Sequence, residues 1–520
     1  MTYNLLDEPW LPVRWLGPEP PSSVGLREAL IRAHEIAELA TDNPLETLSL
    51  NRLLAALTAS VFPQMADEAH WASLWEKGCF DPQACEAYLE TYADRFDLLS
   101  ADRPFFGHPQ TEAREISPVS RLLHAAASGN NAVLFSHDMD SLPQPLTLAE
   151  AARAVVCTQG FALSGGPQAK PFPLSSGPLV GGAFFWLRGL VGETASLFSA
   201  LLLNLSPSQE VWGIHPKDQA AWESATPPAP QKRDVGGLRE LFTFQSRRLQ
   251  LVLDSEQKVT GVRYNQGSKV EKLLYHDPYL AYKSGKEGEY PLRFSTGRAL
   301  WQESAVYMMK QGGAGHAPRT IEWLSGRTLR RYQLERQTAF AVDVFGLVND
   351  PQQVAKVELI RHERVIIYPN IIFDGERWET LAHLLKSTDE QAKRLQEATR
   401  AFASRSRLNK PVDADFKKVE KADLVSFVQM LDTATPYWLA VGSEFDSFLA
   451  RIATLPIETD DLSVLIQEWK ITIRQASGKA LSIALEPFAQ DARTWQALAE
   501  AETVLIYGTL YPKTKKTANV

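Results

Sequence analysis

The chain has 520 residues and a net charge of −8, with 44% hydrophobic and 22% charged residues. These values are ordinary for a globular protein, and the length suffices for two to four domains. The acidic balance excludes a surface that binds nucleic acid everywhere, but a local basic strip can still do so, because affinity follows the phosphates actually contacted. Residues 231–298 are a candidate strip, with 13 Lys or Arg against 8 Asp or Glu.

The cysteine content and the first residues predict a cytoplasmic protein with no membrane partner. Three cysteines give neither a disulfide framework nor a metal knuckle, which indicates a reducing compartment. The opening MTYNLLDEPWLPV lacks the basic and then apolar pattern of a signal peptide. The sequence has no run of about 18 apolar residues that would predict a membrane span.

The first 160 residues read mainly as helices. Residues 24–40 place apolar side chains on one helical face, which predicts a helix there. Residues 41–62 predict a second, buried helix, with Pro44 in its first turn. Residues 146–158 predict a further helix that leads into a glycine-rich stretch.

That stretch, residues 155–189, holds seven glycines and four prolines between two apolar runs. Glycine lets the backbone pass where a side chain would clash, and proline stiffens the path. The pattern predicts a shaped loop held by a core, which is where binding sites usually lie, although an ordinary long connection has the same composition.

Two β-hairpins follow in a region of mixed pattern, residues 238–373. Residues 247–254 alternate as a strand, and residues 258–268 return after a short turn. A second pair of strands, 339–348 and 354–369, flanks the turn sequence NDPQQ.

From about residue 374 the pattern changes to long amphipathic stretches with few glycines. They cover residues 378–407, 415–431, 436–454, 460–475 and 491–507. The sequence therefore predicts an α+β protein with a large mixed α/β domain of short sheets and hairpins at 1–373. An all-α C-terminal four-helix bundle is predicted at 374–520.

Motifs for catalysis are absent, so we expect no enzymatic activity, no cofactor and no metal. The sequence contains neither a phosphate-binding GxxxxGK[ST] loop nor an HExxH zinc motif. His137 and Asp138 leave open a metal-dependent nuclease or phosphohydrolase, although such a site needs further ligands that the sequence does not supply. A pure assembly scaffold without DNA contact is a third reading.

What remains is a set of recognition features: the glycine-rich stretch, a polar loop with an apolar tip at residues 133–135, the basic strip and the second hairpin. Lys, Asn and Gln can read the acceptors of a DNA minor groove, and a hairpin tip can wedge against base steps.

Five segments carry a resemblance to a known family. They are NLLDEPWLPVR at the start, RPFF at 103–106, SGNNAVLF in the polar loop, LSGG with GGAFFWLRG in the glycine-rich stretch, and RHERVIIYP after the second hairpin tip. In content and order the chain resembles the CasA family, the large subunits of the type I-E Cascade complex of CRISPR immunity.

The resemblance implies a non-catalytic subunit that works with CRISPR RNA and the other Cascade subunits. Such a subunit reads the protospacer-adjacent motif (PAM) of double-stranded target DNA from the minor groove. It also helps to open the duplex and docks the helicase–nuclease. In such a complex, base pairing with the guide RNA reads the long target sequence, and the protein reads only the short PAM.

The same resemblance implies the site residues. Ser164, Gly165 and Gly166 match the glycine loop that meets the minor groove. Lys269 matches the lysine finger, with Gln266 equally well placed in a gapless match.

Gln352 or Gln353 matches the wedge glutamine, and Asn349 could assist it. Asn131, Leu134 and Phe135 correspond to the loop that anchors the subunit to the RNA handle. Some members carry a cysteine-rich metal knuckle before the lysine finger, but residues 247–262 contain no cysteine, which predicts no zinc there.

Overall fold

The computed structural model describes residues 2–109, 115–124, 144–163, 178–213, 218–226, 229–309, 315–324, 339–349, 357–456, 461–488 and 491–508. The chain divides into two compact units, Met1–Pro369 and Asn370–Val520. In the described part of the chain, no helix is both long enough and apolar enough to cross a membrane.

The strands of the first unit are short. They are β1 (Leu11–Trp15), β2 (Ser22–Val24), β3 (Ile36–Leu39), β4 (Ser117–Pro118), β5 (Phe184–Leu190), β6 (Lys232–Val235), β7 (Arg247–Leu253), β8 (Val259–Gln266), β9 (Lys269–Leu273), β10 (Tyr282–Gly285), β11 (Gly288–Pro291), β12 (Gly315–His316), β13 (Phe340–Asn349) and β14 (Val357–Ile367). They form small sheets of orders β2-β1-β3, β4-β8-β7, β11-β10-β12 and β14-β13-β5, and β6 pairs with β9 in parallel.

The helices that precede the C-terminal helical region have four to eighteen residues. They are α1 (Leu26–Ile31), α2 (Pro44–Val61), α3 (Glu68–Lys77), α4 (Pro82–Thr91), α5 (Leu148–Phe161), α6 (Leu197–Asn204), α7 (Gln209–Trp212), α8 (Leu238–Phe242), α9 (Ser304–Tyr307), α10 (Arg319–Glu322) and, at the border of the units, α11 (Pro369–Phe373). Short 3₁₀ turns join several of them.

Helix α2 is the centre of the first unit. The Asn43 side chain accepts a hydrogen bond from the Leu45 N–H, and Pro44 occupies the first turn, so the start of the helix is capped. Most of its residues are buried on all sides, as expected for a helix without a solvent face. It packs against α5 and α8.

Both predicted hairpins are confirmed. Strands β7 and β8 pair antiparallel from Arg247 opposite Gln266 to Leu253 opposite Val259. Strands β13 and β14 pair antiparallel from Phe340 opposite Ile367 to Asn349 opposite Val357.

The helix predicted over residues 24–40 is wrong in its second half. Helix α1 ends at Ile31, and Ile36–Leu39 form β3, which pairs with β1. Ile36, Ala37 and Leu39 are buried and fit either period, and pairing with β1 decides between them.

The second unit is helical, which confirms the predicted C-terminal helical region. Its longer helices are α12 (Gly375–Ala403), α13 (Lys418–Leu431), α14 (Ala434–Thr454), α15 (Asp461–Leu485) and α16 (Ala492–Tyr507). The described residues thus form five longer helices, where four main ones were expected. Helix α12 packs against the other four.

Buried polar side chains of this unit connect neighbouring helices. The Trp469 indole N–H donates to the Thr388 hydroxyl at 2.9 Å, and the Tyr437 hydroxyl donates to the Thr388 carbonyl at 2.9 Å. Gln391 donates to the Ser477 hydroxyl at 2.9 Å. Each of these groups therefore has a partner where water is excluded.

Candidate nucleic-acid interface

Lys269 begins strand β9 directly after a tight turn at the end of β8. The Gly267 N–H donates to the Ser246 carbonyl at 2.9 Å, and the Ser268 N–H donates to the Gln245 carbonyl at 3.0 Å. A Cβ on residue 267 would lie 2.5 Å from the backbone carbonyl oxygen of Gln245, so only glycine fits at this position. The turn therefore holds the start of β9 at a defined point.

The two candidates for the lysine finger differ in exposure. Gln266 is buried at the end of β8, with 8% of its surface exposed. Lys269 is half-buried, and it lies opposite the exposed Lys232 in the parallel β6–β9 pair. A residue that touches DNA needs an accessible polar end, and this favours Lys269 over Gln266.

Arg247, at the start of β7, binds the backbone that enters the glycine-rich stretch. Its guanidinium is buried and donates to the carbonyls of Ala162 at 3.3 Å and Leu163 at 2.8 Å. It also donates to the Tyr264 hydroxyl at 2.9 Å. One side chain thus ties the residues before Ser164 to the hairpin that leads to Lys269.

Gln159, near the end of α5, supports the same junction. Its side-chain oxygen accepts from the Arg247 N–H at 2.9 Å, and its NH₂ donates to the carbonyls of Arg247 and Phe106. Since Gln159 is buried, these hydrogen bonds face little competition from water. Helix α5 and hairpin β7–β8 are therefore held in one register.

The residues that flank segment 164–177 on its two sides contact each other. The Val180 N–H donates to the Gly160 carbonyl at 3.1 Å, which brings the two ends of segment 164–177 together. The chain then continues into β5, which pairs with β13 from Phe184 opposite Phe345 to Leu190 opposite Phe340. The second hairpin is thereby connected to the same segment.

A buried carboxylate organises the β5–β13–β14 sheet. Asp343 accepts hydrogen bonds from Arg364 Nε at 2.8 Å and from His362 Nε2 at 3.2 Å, and Arg188 lies 3.7 Å away. Burial alone would raise the pKa of Asp343, but the hydrogen bonds from His362 and Arg364 hold it below its ordinary value. Asp343 is therefore ionised at neutral pH.

Most of the residues named from the resemblance lie outside the described residues: Ser164, Gly165, Gly166, Gln352, Gln353, Asn131, Leu134 and Phe135, together with His137 and Asp138 of the alternative reading. Asn349 is described as the last residue of β13, opposite Val357, and residues 350–356 connect the two strands. Gln266 and Lys269 are the other two described candidates.

The predicted basic strip is not one continuous charged surface. Arg247 and Arg248 are buried. Five more of its cations pair with carboxylates, namely Arg233 with Glu240, Arg239 with Asp218, Lys258 with Glu256, and Lys283 and Arg298 with Glu303. Among the described residues of the strip, the exposed positive charges that can face a partner include Lys232, Lys272, Lys286 and Arg293.

Sequence reasoning missed Arg247 and Gln159 as the residues that join the candidate segments. A signal existed for Arg247, because it shares a strand face with the buried Leu249. It also missed a group of possible metal ligands, His276, Glu289 and His316. The three cysteines are free thiols, as the composition predicts.

Comparison with known proteins defines the class of this two-unit protein. The profile of the family "CRISPR-associated protein Cse1" matches residues 4–480. The chain is 28% identical to the CRISPR-associated protein CasA/Cse1 of Thermus thermophilus over 509 residues, 96% of each chain. The chain therefore belongs to the CRISPR-associated Cse1 (CasA) family.

Solved structures share this fold over nearly the whole chain. The crystal structure of Thermus thermophilus CasA matches with a TM-score of 0.79 and 25% identity, over 97% of this chain and 98% of that one. A chain of a CRISPR RNA-guided surveillance complex matches with a TM-score of 0.76 and 22% identity, over 97% and 99%.

Proposed function

We propose that this chain is the non-catalytic large subunit of a type I-E CRISPR RNA-guided surveillance complex in the cytoplasm. It recognises the PAM of double-stranded DNA from the minor groove, promotes duplex opening and recruits the helicase–nuclease. Its partners are CRISPR RNA and the other Cascade subunits. Family membership supports this proposal, as does the likeness to a chain of an RNA-guided complex.

The observation that carries the proposal is the convergence of three candidate segments. Arg247 joins the residues before the glycine loop to the hairpin that leads to Lys269. The β5–β13 pairing joins the residues after the glycine loop to the second hairpin, whose first strand ends at Asn349. Segments far apart in sequence are thus attached to one scaffold, as a single reading surface requires.

This arrangement suits the minor groove. Glycine positions allow the backbone to approach base edges, and a lysine can donate to acceptors that every base pair presents there. A hairpin tip can unstack a base step, which lowers the cost of starting strand separation. Guide pairing then reads the remaining sequence.

The test is duplex binding by the RNA-guided complex, assembled with and without this chain, at fixed salt. The duplex carries either a permitted PAM or a scrambled one. We expect discrimination between the two only when the chain is present. Equal binding of both duplexes by the full complex would leave the scaffold reading. Metal-dependent hydrolysis that His137→Ala abolishes would favour the phosphohydrolase.

Lys269→Ala should reduce PAM discrimination about tenfold, the effect of one lost base contact. Lys272→Ala is the matched control, since this exposed lysine lies on the same strand, three residues further along. If Lys269→Ala weakens both duplexes equally and lowers the salt slope by about 1, Lys269 contacts phosphate only.

Two further variants separate DNA reading from assembly. Gly166→Leu should weaken duplex binding and leave the complex intact, because a side chain blocks backbone approach. Phe135→Ala should instead weaken retention of the chain in the complex. Size-exclusion chromatography of the assembled complex distinguishes the two, and loss of assembly in Gly166→Leu would contradict the assigned role.

A further inference from the structure

We propose that His276, Glu289 and His316 form a binding site for a divalent transition-metal ion, with Zn²⁺ as the best fit. The site lies in the first unit, on the β11–β10–β12 sheet. It is independent of the DNA-reading role proposed above. The nitrogen and oxygen donors of the three side chains lie within 4.8 Å of one another.

The register of the sheet places two of the ligands on one face. Tyr282 of β10 lies opposite His316 of β12, and Ser284, two residues further along β10, lies opposite Glu289 of β11. Side chains alternate along a strand, so Tyr282 and Ser284 share a face and bring His316 and Glu289 to it. A Cβ on residue 315 would lie 2.0 Å from the backbone carbonyl oxygen of Tyr282, so the pairing requires glycine at this position.

His276 reaches the same face from the segment between β9 and β10. Its ring stacks on Tyr282, with ring centroids 4.5 Å apart and 22° between the planes. The Asp277 N–H donates to the Tyr282 hydroxyl at 3.1 Å, which fixes the segment beside the sheet. His276 is therefore positioned by contacts other than those of the proposed site.

The distances between donor atoms, 3.1–3.9 Å, lie around the value for tetrahedral coordination. His276 Nδ1 lies 3.1 Å from His316 Nε2 and 3.5 Å from Glu289 Oε2, and His316 Nε2 lies 3.9 Å from the same oxygen. Donors about 2.0–2.1 Å from a tetrahedral Zn²⁺ are about 3.3 Å apart. Two imidazoles and one carboxylate are also a donor set that Zn²⁺ favours.

A second contact prepares His316 for a metal. Its Nδ1 lies 2.7 Å from the Ala317 carbonyl oxygen, which can only accept a hydrogen bond. Nδ1 therefore carries the proton, which leaves the lone pair on Nε2, the atom that lies 3.1 Å from His276 Nδ1 and 3.9 Å from Glu289 Oε2. Metal-binding histidines typically have their second nitrogen fixed in this way.

The surroundings allow a cation to bind. His316 is buried, whereas His276 and Glu289 are exposed, so the ion can enter from solvent and a water can fill the fourth position. Arg319 is a nearby positive charge, and it is paired with Glu322. The site is open on one side, as in zinc sites that retain a water.

The experiment titrates metal-free full-length chain with Zn²⁺ by calorimetry and with Co²⁺ by visible absorption. We expect one equivalent bound and the intense spectrum of four-coordinate Co²⁺. His276→Phe retains the ring stack but removes a donor, and should weaken affinity at least about a hundredfold, beyond the 10–100-fold cost of losing a second-shell partner. Glu289→Gln should weaken it at least about tenfold.

His70→Ala is the control, since His70 Nδ1 lies 3.0 Å from the Asp67 carboxylate on an exposed surface, and among the described residues this pair has no third possible ligand. It should leave affinity unchanged. Added Zn²⁺ should raise the melting temperature of wild type and of His70→Ala, but not that of His276→Phe. Absence of saturable binding in wild type, or wild-type affinity in His276→Phe, would overturn the proposal.

Discussion

The two units of the chain are ordered by different means. In the second unit, long helices follow from apolar periodicity, and buried polar groups join helices that the pattern already defines. In the first unit, short strands and helices are positioned by buried polar side chains that bind distant backbone, as Arg247 and Gln159 do across 84 to 88 residues.

Apolar packing positions the helices of the second unit, whereas individual hydrogen bonds position the segments of the first unit. A helix in a bundle tolerates local change because its neighbours bury the same apolar stripe. The carbonyls of Ala162 and Leu163, by contrast, accept hydrogen bonds from a single side chain, and loss of Arg247 leaves both without that charged donor. We therefore expect substitutions in the two units to differ in kind as well as in size.

The largest expected effect is that of Trp469→Ala in the second unit. The side chain is fully buried, and the rings of Phe445 and Phe448 contact it edge-on. Its removal should cost about 4 kcal/mol of unfolding free energy, from lost transfer and the cavity left behind. Hydrogen exchange should show faster exchange in α12 and α15 and unchanged protection in β13. An equal loss of hydrogen-exchange protection in both units would contradict the proposed difference between them.

Arg247→Met should cost about 3 kcal/mol, because the carbonyls of Ala162 and Leu163 lose a charged donor while buried volume is retained. Unlike Trp469→Ala, it should also lower PAM discrimination by the assembled complex. Urea denaturation and duplex binding measure the two effects. A stable variant with full discrimination would show that Arg247 does not organise the loop.

Asp343→Asn should cost about 2 kcal/mol at neutral pH, since hydrogen bonds from Arg364 and His362 lose their charged acceptor. The pKa of Asp343 is lowered in the folded state, so its contribution is present above the ordinary value of 3.8 and is lost as pH falls through the lower folded value.

The measurement is the melting temperature of the first unit between pH 7 and pH 3. The difference between wild type and Asp343→Asn should shrink as the pH falls below 3.8. Glu390→Gln, at an exposed position on a helix of the second unit, is the control for a general charge effect. A difference that stays constant over this range would exclude a role for the ionised carboxylate.

The smallest expected effect is that of Thr147→Ala. Thr147 and Glu150 form a capping box at the start of α5. Loss of the cap should cost about 1 kcal/mol. Thr147→Ser keeps the hydroxyl and should retain most of the stability. Because the far end of α5 is held by Arg247 and Gln159, PAM discrimination should not change, and a loss would mean that the helix moves as a whole.

Hydrophobic periodicity and turn residues predicted the elements whose structure depends on residues close together in the sequence. The hairpins 247–266 and 340–367 and the long C-terminal helices were found from periodicity and turn residues. Residues 36–39 were not, since the same apolar side chains suit a helix or a strand and β1 selects the strand. Periodicity gives five amphipathic stretches in the C-terminal region but does not show how many of them are main helices, so four were expected where the described residues form five longer ones.

The site was predicted by resemblance, and its scaffold was not predicted. Nothing in the spacing of Gln159, Arg247 and Leu163 shows that they meet, because the contact depends on how helix and hairpin pack. The same holds for His276, Glu289 and His316, which are 13 and 27 residues apart. Strand register brings Glu289 and His316 together, and the stack on Tyr282 adds His276. Exposure, which separates Gln266 from Lys269, likewise requires the fold.

The Gly160–Val180 hydrogen bond has a consequence for how this protein can diversify. The bond and the β5–β13 pairing fix the residues on the two sides of segment 164–177. Each doubling of a loop's length costs only about 0.6 kcal/mol of closure entropy. We therefore expect a change in the length of segment 164–177 to cost little stability, because the helix and the strand that flank it are held by contacts of their own.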